Sequence, residues 1–243
     1  MPNDDRVNER YYGLINSLES HQSTRMRIHW ICRQTTGKKI LDAGCSQGIT
    51  TILLAREGFE VTGIDLDEAS LAYAIQEVKK ESAPVRKNVT FFLTNVLEIN
   101  PAMVFDTVIL GEILEHFSHP LQLLEKVHSL LPEGGRIIIT VPYGFHPFHD
   151  HKQTFYCSNL YLMLEPFYEQ LEMEIHHKYL FCTGKKREAP AAPLSRNEQM
   201  ERWMLLDCGK FAEMEGQHFK ALTERKKNAG VKSASETDGS GSL

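Results

Sequence analysis

At 243 residues, with 27 Lys and Arg against 32 Asp and Glu and a net charge of −5, the chain has room for one α/β domain with an appendage. It lacks the basic excess that neutralising a polyanion requires, and its interspersed charges favour neutral or cationic small molecules over nucleic acid or a membrane surface. Five cysteines without metal-type spacing exclude a complete disulfide framework; with a polar Met1–Arg10 and no run near the ~20 apolar residues of a span, the expectation is a cytoplasmic protein without signal peptide or membrane segment.

From about Tyr11 to Thr35, Leu14, Ile15, Leu18, Met26, Trp30 and Ile31 recur at helical spacing, so residues 1–36 are expected as a helical cap over a cleft. Strand-like and helical runs then alternate: strand 39–43, helix 48–57, strand 60–65, helix 68–81, strand 89–93, strand 105–110 and helix 120–131. A turn at Pro132-Glu133-Gly134-Gly135 leads into strand 136–141. Such alternation predicts a parallel sheet with helices on both faces. Runs 171–177 and 179–184 add an antiparallel hairpin at one edge, which makes the prediction a Rossmann-like, seven-stranded, mostly parallel α/β domain over 37–187. Residues 188–194 read as a Pro/Ala linker. Residues 195–228 read as an amphipathic helix whose apolar face packs on its own domain or forms a homodimer, and 229–243, rich in Ser, Gly and charge, as a disordered tail.

The first strand runs into Asp42-Ala43-Gly44-Cys45-Ser46-Gln47-Gly48, where small residues let the backbone turn and approach a ligand. Asp65 ends the second strand, one β-α-β unit later, and its carboxylate can accept hydrogen bonds from two ribose hydroxyls. A dinucleotide site would read G-x-G-x-x-G, with a pyrophosphate on the helix amino end. This loop reads D-x-G-x-S-x-G, and an acid there suits a cationic amino group better than a diphosphate. That disfavours a nicotinamide oxidoreductase.

On these residues the stretch from about Gly37 to Lys185 resembles the class I S-adenosylmethionine-dependent methyltransferases, of the type 11 and 23 kind. Asp42, Gly44, Ser46 and Gly48 match the family's first motif, with Ser46 in place of the more usual glycine. Asp65 matches its ribose-binding acid, and Asn95-Val96 stands where an acidic residue often meets the adenine amino group. The resemblance implies S-adenosylmethionine as cofactor, contacted by Asp42, Gly44, Ser46, Gly48, Asp65, Leu66, Asn95, Val96 and Glu112.

The fourth strand runs into Gly111-Glu112-Ile113-Leu114-Glu115-His116, and the fifth into His146-Pro147-Phe148-His149-Asp150-His151-Lys152, so both polar clusters fall at the ligand-binding edge of the sheet. Three readings stay open. Glu115-His116 is the pair that shapes the cleft in many class I methyltransferases; or His116, His149 or His151 is a general base toward a hydroxyl; or Glu112, Glu115, His116 and His151 hold Mg, Mn or Zn. The last set resembles the small-RNA 3′-terminal 2′-O-methyltransferases, in which those positions hold a divalent ion. Tyr143, Phe145, Phe148, Phe155 and Tyr156 are expected to line an acceptor pocket or to be core. The sequence thus points to O-methylation of a small molecule or glycan, with a metal-dependent RNA methyltransferase and a catalytically silent cofactor-binding scaffold as alternatives.

Overall fold

Two helices precede the sheet in the computed structural model, which describes residues 6–146, 148, 150–190 and the backbone of 198–237. Helix α1 (Val7–Tyr12) stops at Gly13, whose φ of 77° lets its N–H turn back to the Arg10 carbonyl. Helix α2 (Leu18–Gln34) starts at Ser17, whose hydroxyl accepts the Ser20 N–H at 3.3 Å. Its apolar face, including Ile28, Trp30 and Ile31, packs in one core cluster with Ile40, Leu54, Ile109, Ile138 and Phe181 from the sheet and the next helix. This is the apolar stripe read from the sequence.

Strand β1 (Lys39–Ala43) is buried after its first residue. It is followed by α3 (Ile49–Arg56), β2 (Glu60–Asp65), α4 (Glu68–Lys79), α5 (Ala83–Lys87), β3 (Val89–Leu93), a 3-10 turn at Val96–Glu98, and β4 (Thr107–Gly111). A second 3-10 turn, Leu114–His116, leads to α6 (Pro120–Leu130), β5 (Arg136–Pro142), α7 (Cys157–Leu164), β6 (Tyr168–His176) and β7 (Tyr179–Lys186). The spatial order is β3-β2-β1-β4-β5-β7-β6, with β7 antiparallel to both neighbours and all other pairs parallel. This is the expected seven-stranded mixed sheet.

The chain leaves β1 toward β2 and β3, then returns to place β4 on the other side of β1. The carboxyl ends of β1 and β4 therefore diverge into a crevice, where open α/β sheets bind their ligands. Central strands β4 and β5 are almost wholly buried, as expected of strands covered on both faces.

Boundaries moved where backbone polar groups found partners that a hydropathy pattern does not show. Strand β4 starts at Thr107 rather than 105, because the Asp106 carboxylate accepts the N–H groups of Lys38 and Lys39 at 2.6 and 2.9 Å and fixes that corner as a turn. Strand β6 begins at Tyr168, three residues early, with a bulge between Glu169 and Glu172 that interrupts its alternation. The short helices α5 and α7 were not anticipated.

Residues 1–195 form one compact unit and 196–243 a second. Of the expected 188–194 linker, residues 191–194 lie outside the described residues, as do 238–243 of the expected tail. Helix α8 (Glu198–Thr237) continues nine residues past the end expected at 228, into the segment expected to be disordered. Residues 229–237 contain no proline and include Ala229, Lys232, Ala234 and Glu236, all tolerated in a helix. Among the described residues, no helix is long and apolar enough to cross a membrane.

Candidate active site

The loop after β1 is shaped by main-chain bonds. The N–H groups of Gly44 and Cys45 both donate to the Ile64 carbonyl at 2.9 Å, and Gly48 N–H donates to the Cys45 carbonyl at 2.9 Å. Gly48 has a φ of 81°, and a Cβ there would lie 2.8 Å from Ala74 Cβ and 3.0 Å from Phe91 Cζ. Only glycine fits that turn into α3. Ser46 also takes a left-handed φ of 46°, and its N–H donates to Asp65 Oδ2 at 2.7 Å. Asp65 Oδ1 accepts the Asp67 N–H at 2.9 Å, so each oxygen of this carboxylate is held by a backbone amide. Asp67 in turn accepts from Ser70 N–H at 2.7 Å and caps α4.

Asp42 is buried at the end of β1, where Thr51 Oγ1 donates to its Oδ2 at 2.7 Å. Burial pushes its carboxyl up to about 6, against the Thr51 hydrogen bond, with Asp65 raising it further. Burial likewise raises the Cys45 thiol, which fits a packing role rather than nucleophilicity. Asn95 caps the 3-10 turn, its Oδ1 accepting the Leu97 N–H at 3.0 Å. Val96 is buried beside it, and Leu66 is exposed at the end of β2.

The second half of the site is made where the β4 and β5 loops meet. The Glu115 carbonyl accepts the N–H groups of Lys152 and Gln153 at 2.8 and 3.1 Å, and Gln153 Nε2 donates to the carbonyls of Phe117 and Ser118. These bonds bring His116 and His151 together, their ring centroids 5.0 Å apart and nearly perpendicular, with His146 a further 5.4 Å from His151. His116 Nδ1 lies 3.0 Å from Asp150 Oδ2. One ligand atom from each of Glu115, His116 and His151 falls within 4.8 Å of the others. Glu115 is 1% exposed, and among the described residues neither carboxylate oxygen has a hydrogen-bond partner. Burial, then the nearby Glu112 charge, holds its carboxyl well above the ordinary range. His151 is held below the usual imidazole range by partial burial, then by His116 and His146.

Of the four residues expected as metal ligands, three thus converge and Glu112 stands outside the group. Its left-handed φ of 59° turns the chain between the end of β4 and the 3-10 turn, and its charge still reaches Glu115. His149, expected as a base, lies outside the described residues. Among the aromatics, Tyr143 and Phe155 are core, while Phe145 and Phe148 are exposed beside the histidines.

Arg27 escaped the sequence reading. It sits on the buried face of α2, its guanidinium 5.7 Å from the Tyr179 ring centroid, and its charge opposes the upward shifts of both Asp42 and Glu115. Its neighbours one turn earlier on that face, Ser23 and Thr24, are polar too, so the sequence pattern does not mark it as buried.

Residues 23–208 match the family model of a methyltransferase domain. A ubiquinone biosynthesis O-methyltransferase of Pseudomonas aeruginosa is 33% identical over 123 residues, 49% of this chain and 52% of that protein. The chain spans about half the length of the curated relatives it matches. Among solved structures, the N-methyltransferase NodS from Bradyrhizobium japonicum in complex with S-adenosyl-L-homocysteine aligns with a TM-score of 0.58 at 15% identity, covering 73% of this chain and 92% of that one. Magnesium protoporphyrin IX methyltransferase (ChlM) from Synechocystis with bound S-adenosylmethionine aligns at 0.57 and 20% identity, covering 74% and 89%. With its strand order, its glycine loop and the match over 23–208, the chain belongs to the methyltransferase domain family and has the class I S-adenosylmethionine-dependent fold.

Proposed function

We propose that this protein transfers the methyl group of S-adenosylmethionine to a hydroxyl of a small molecule or glycan. The observation that carries the reading is that two unlike sites share one edge of the sheet: the loop Asp42–Gly48 with Asp65, and the cluster Glu115, His116 and His151. In this reading Asp65 receives the ribose hydroxyls. Gly44, Ser46 and Gly48 let the backbone approach the cofactor, Asn95, Val96 and Leu66 meet the adenine, and Asp42 with Glu112 faces its cationic end. The acceptor oxygen attacks the methyl carbon in line with the breaking carbon–sulfur bond, and S-adenosylhomocysteine leaves.

The proton lost by the acceptor needs a base. His151, held neutral, suits that role, and His116 is oriented for it by Asp150 on Nδ1, which leaves Nε2 toward the cleft. Phe145 and Phe148 supply apolar surface for the acceptor's body. The test is transfer of label from methyl-labelled S-adenosylmethionine into small-molecule and glycan fractions, with wild type set against His116→Ala and His151→Ala. Label that goes only to protein or nucleic acid refutes the acceptor class.

A second reading has its own observation. A buried carboxylate with two unpartnered oxygens, beside two imidazoles, is a donor set suited to Mg, Mn or Zn, and Glu115, His116 and His151 would hold the ion. Such an ion, when bound, lowers the pKa of an acceptor hydroxyl. Glu115 and the two histidines then orient the acceptor, and His146 is the next imidazole available for its proton. Activity that survives exhaustive chelation removes this version and leaves the histidine base.

A further inference from the structure

Asn8, on α1, is 1% exposed, and among the described residues neither its Oδ1 nor its Nδ2 has a hydrogen-bond partner. A buried carboxamide left this way costs about 1–3 kcal/mol for each unsatisfied group. Native structures rarely tolerate it unless a ligand or ordered water completes the bonds.

Its position says which ligand. The Asn8 main-chain N–H donates to Gln47 Oε1 at 2.9 Å, and Gln47 is the residue just before Gly48 in the glycine loop. Next to it, Glu9 is 3.5 Å from Gln47 Nε2 and within electrostatic reach of Tyr73 on α4. Arg10 lies within reach of Tyr179 at the start of β7. Helix α1 packs on α2 and α3, with Val7 anchored in the core. Asn8 sits on this helix against the glycine loop.

We propose that Asn8 binds the amino-acid end of the cofactor, its Nδ2 donating to the α-carboxylate and its Oδ1 accepting from the α-ammonium. This rests on the cofactor assignment above and adds a contact that neither glycine loop nor Asp65 provides. A carboxamide is the one neutral side-chain group that offers a donor and an acceptor side by side, which is what a zwitterionic end presents. The contact distinguishes S-adenosylmethionine and S-adenosylhomocysteine from adenosine thioethers without that end.

The experiment is calorimetric titration of the full chain, wild type and Asn8→Ala, with S-adenosylhomocysteine and with 5′-methylthioadenosine. Asn8→Ala should weaken S-adenosylhomocysteine about 10- to 100-fold and leave 5′-methylthioadenosine within twofold. Removing an unsatisfied buried amide should leave the thermal midpoint of the ligand-free variant at or above that of wild type, which separates loss of a contact from loss of fold. Equal weakening of both ligands, or unchanged binding of S-adenosylhomocysteine as when a buried water alone satisfies the amide, overturns the proposal while the cofactor assignment stands. A wild-type chain that binds neither ligand overturns both.

Discussion

Asp65 and Glu115 are both carboxylates at the carboxyl edge of the same sheet, and they are built in opposite ways. Each oxygen of Asp65 is fixed by a backbone N–H, from Ser46 and from Asp67. Among the described residues neither oxygen of Glu115 has a hydrogen-bond partner, and burial pushes its carboxyl up. In the function proposed above, that difference separates a binding half from a reacting half. Where a ligand of fixed shape must be gripped, the main chain supplies rigid amides. Where a proton or an ion must be exchanged, the fold leaves titratable side chains with open valences near one another.

The sharpest way to break this comparison is to remove the reacting half and ask whether the binding half notices. Exchanging His151 or His116 for alanine should lower kcat about 10²- to 10⁴-fold, the usual contribution of a positioned acid or base. S-adenosylhomocysteine affinity should stay within about threefold, because none of the main-chain bonds around Gly44–Gly48 involves these rings. Steady-state kinetics beside calorimetry reads both quantities. A parallel fall in affinity and kcat would show that the two halves are one.

The converse substitution is expected to have the next largest effect. Asp65→Ala removes an acceptor for two ribose hydroxyls, each charge-assisted bond worth about 1.5–3 kcal/mol, so affinity for S-adenosylhomocysteine should fall by roughly 100-fold or more. If affinity moves less than threefold, the ribose contact lies elsewhere and the cofactor assignment goes with it.

How far these two halves could be read from sequence differs for the same physical reason. The binding half is local: Asp42, Gly44, Ser46, Gly48 and Asp65 lie within one β-α-β unit, and the strand period with the glycine spacing places them together. The parallel strands and the antiparallel edge were legible too, because the central strands are continuous apolar runs. The reacting half is assembled from residues 35 apart, and its closure depends on the Glu115 carbonyl accepting from Lys152 and Gln153, a contact without a hydropathy signature. Arg27 and Asn8 were invisible for a third reason: their meaning lies in burial, and single polar residues on helices are ordinarily exposed.

A pH experiment sharpens the comparison inside the binding half. Asp42 is raised from an ordinary 3.8 to about 6, so the folded chain binds its proton more tightly than the unfolded chain does. The associated stability is fully present below about 4 and is lost as pH rises through about 6, on the order of 2–3 kcal/mol for a two-unit shift. Thermal midpoints of the ligand-free protein at pH 5 and pH 8 should therefore differ more for wild type than for Asp42→Asn. Saturating S-adenosylmethionine should narrow the gap in wild type, since its ammonium favours the ionised carboxylate. Equal pH dependence in the variant would mean that Asp42 is ionised at no cost.

The smallest expected effect tests whether the loop's rigidity resides in its backbone bonds or in its residue types. Ser46 takes a left-handed φ of 46°, which costs a non-glycine residue about 1 kcal/mol. Ser46→Gly relieves that strain but frees the unfolded chain by about 0.4–1 kcal/mol, so chemical denaturation should show a net change within about 0.5 kcal/mol. Cofactor affinity should be nearly unchanged, because the bond to Asp65 comes from the main-chain N–H at position 46, which glycine keeps. A clear loss of affinity in Ser46→Gly would instead make the serine side chain a ligand, and the binding half would then depend on side chains as the reacting half does.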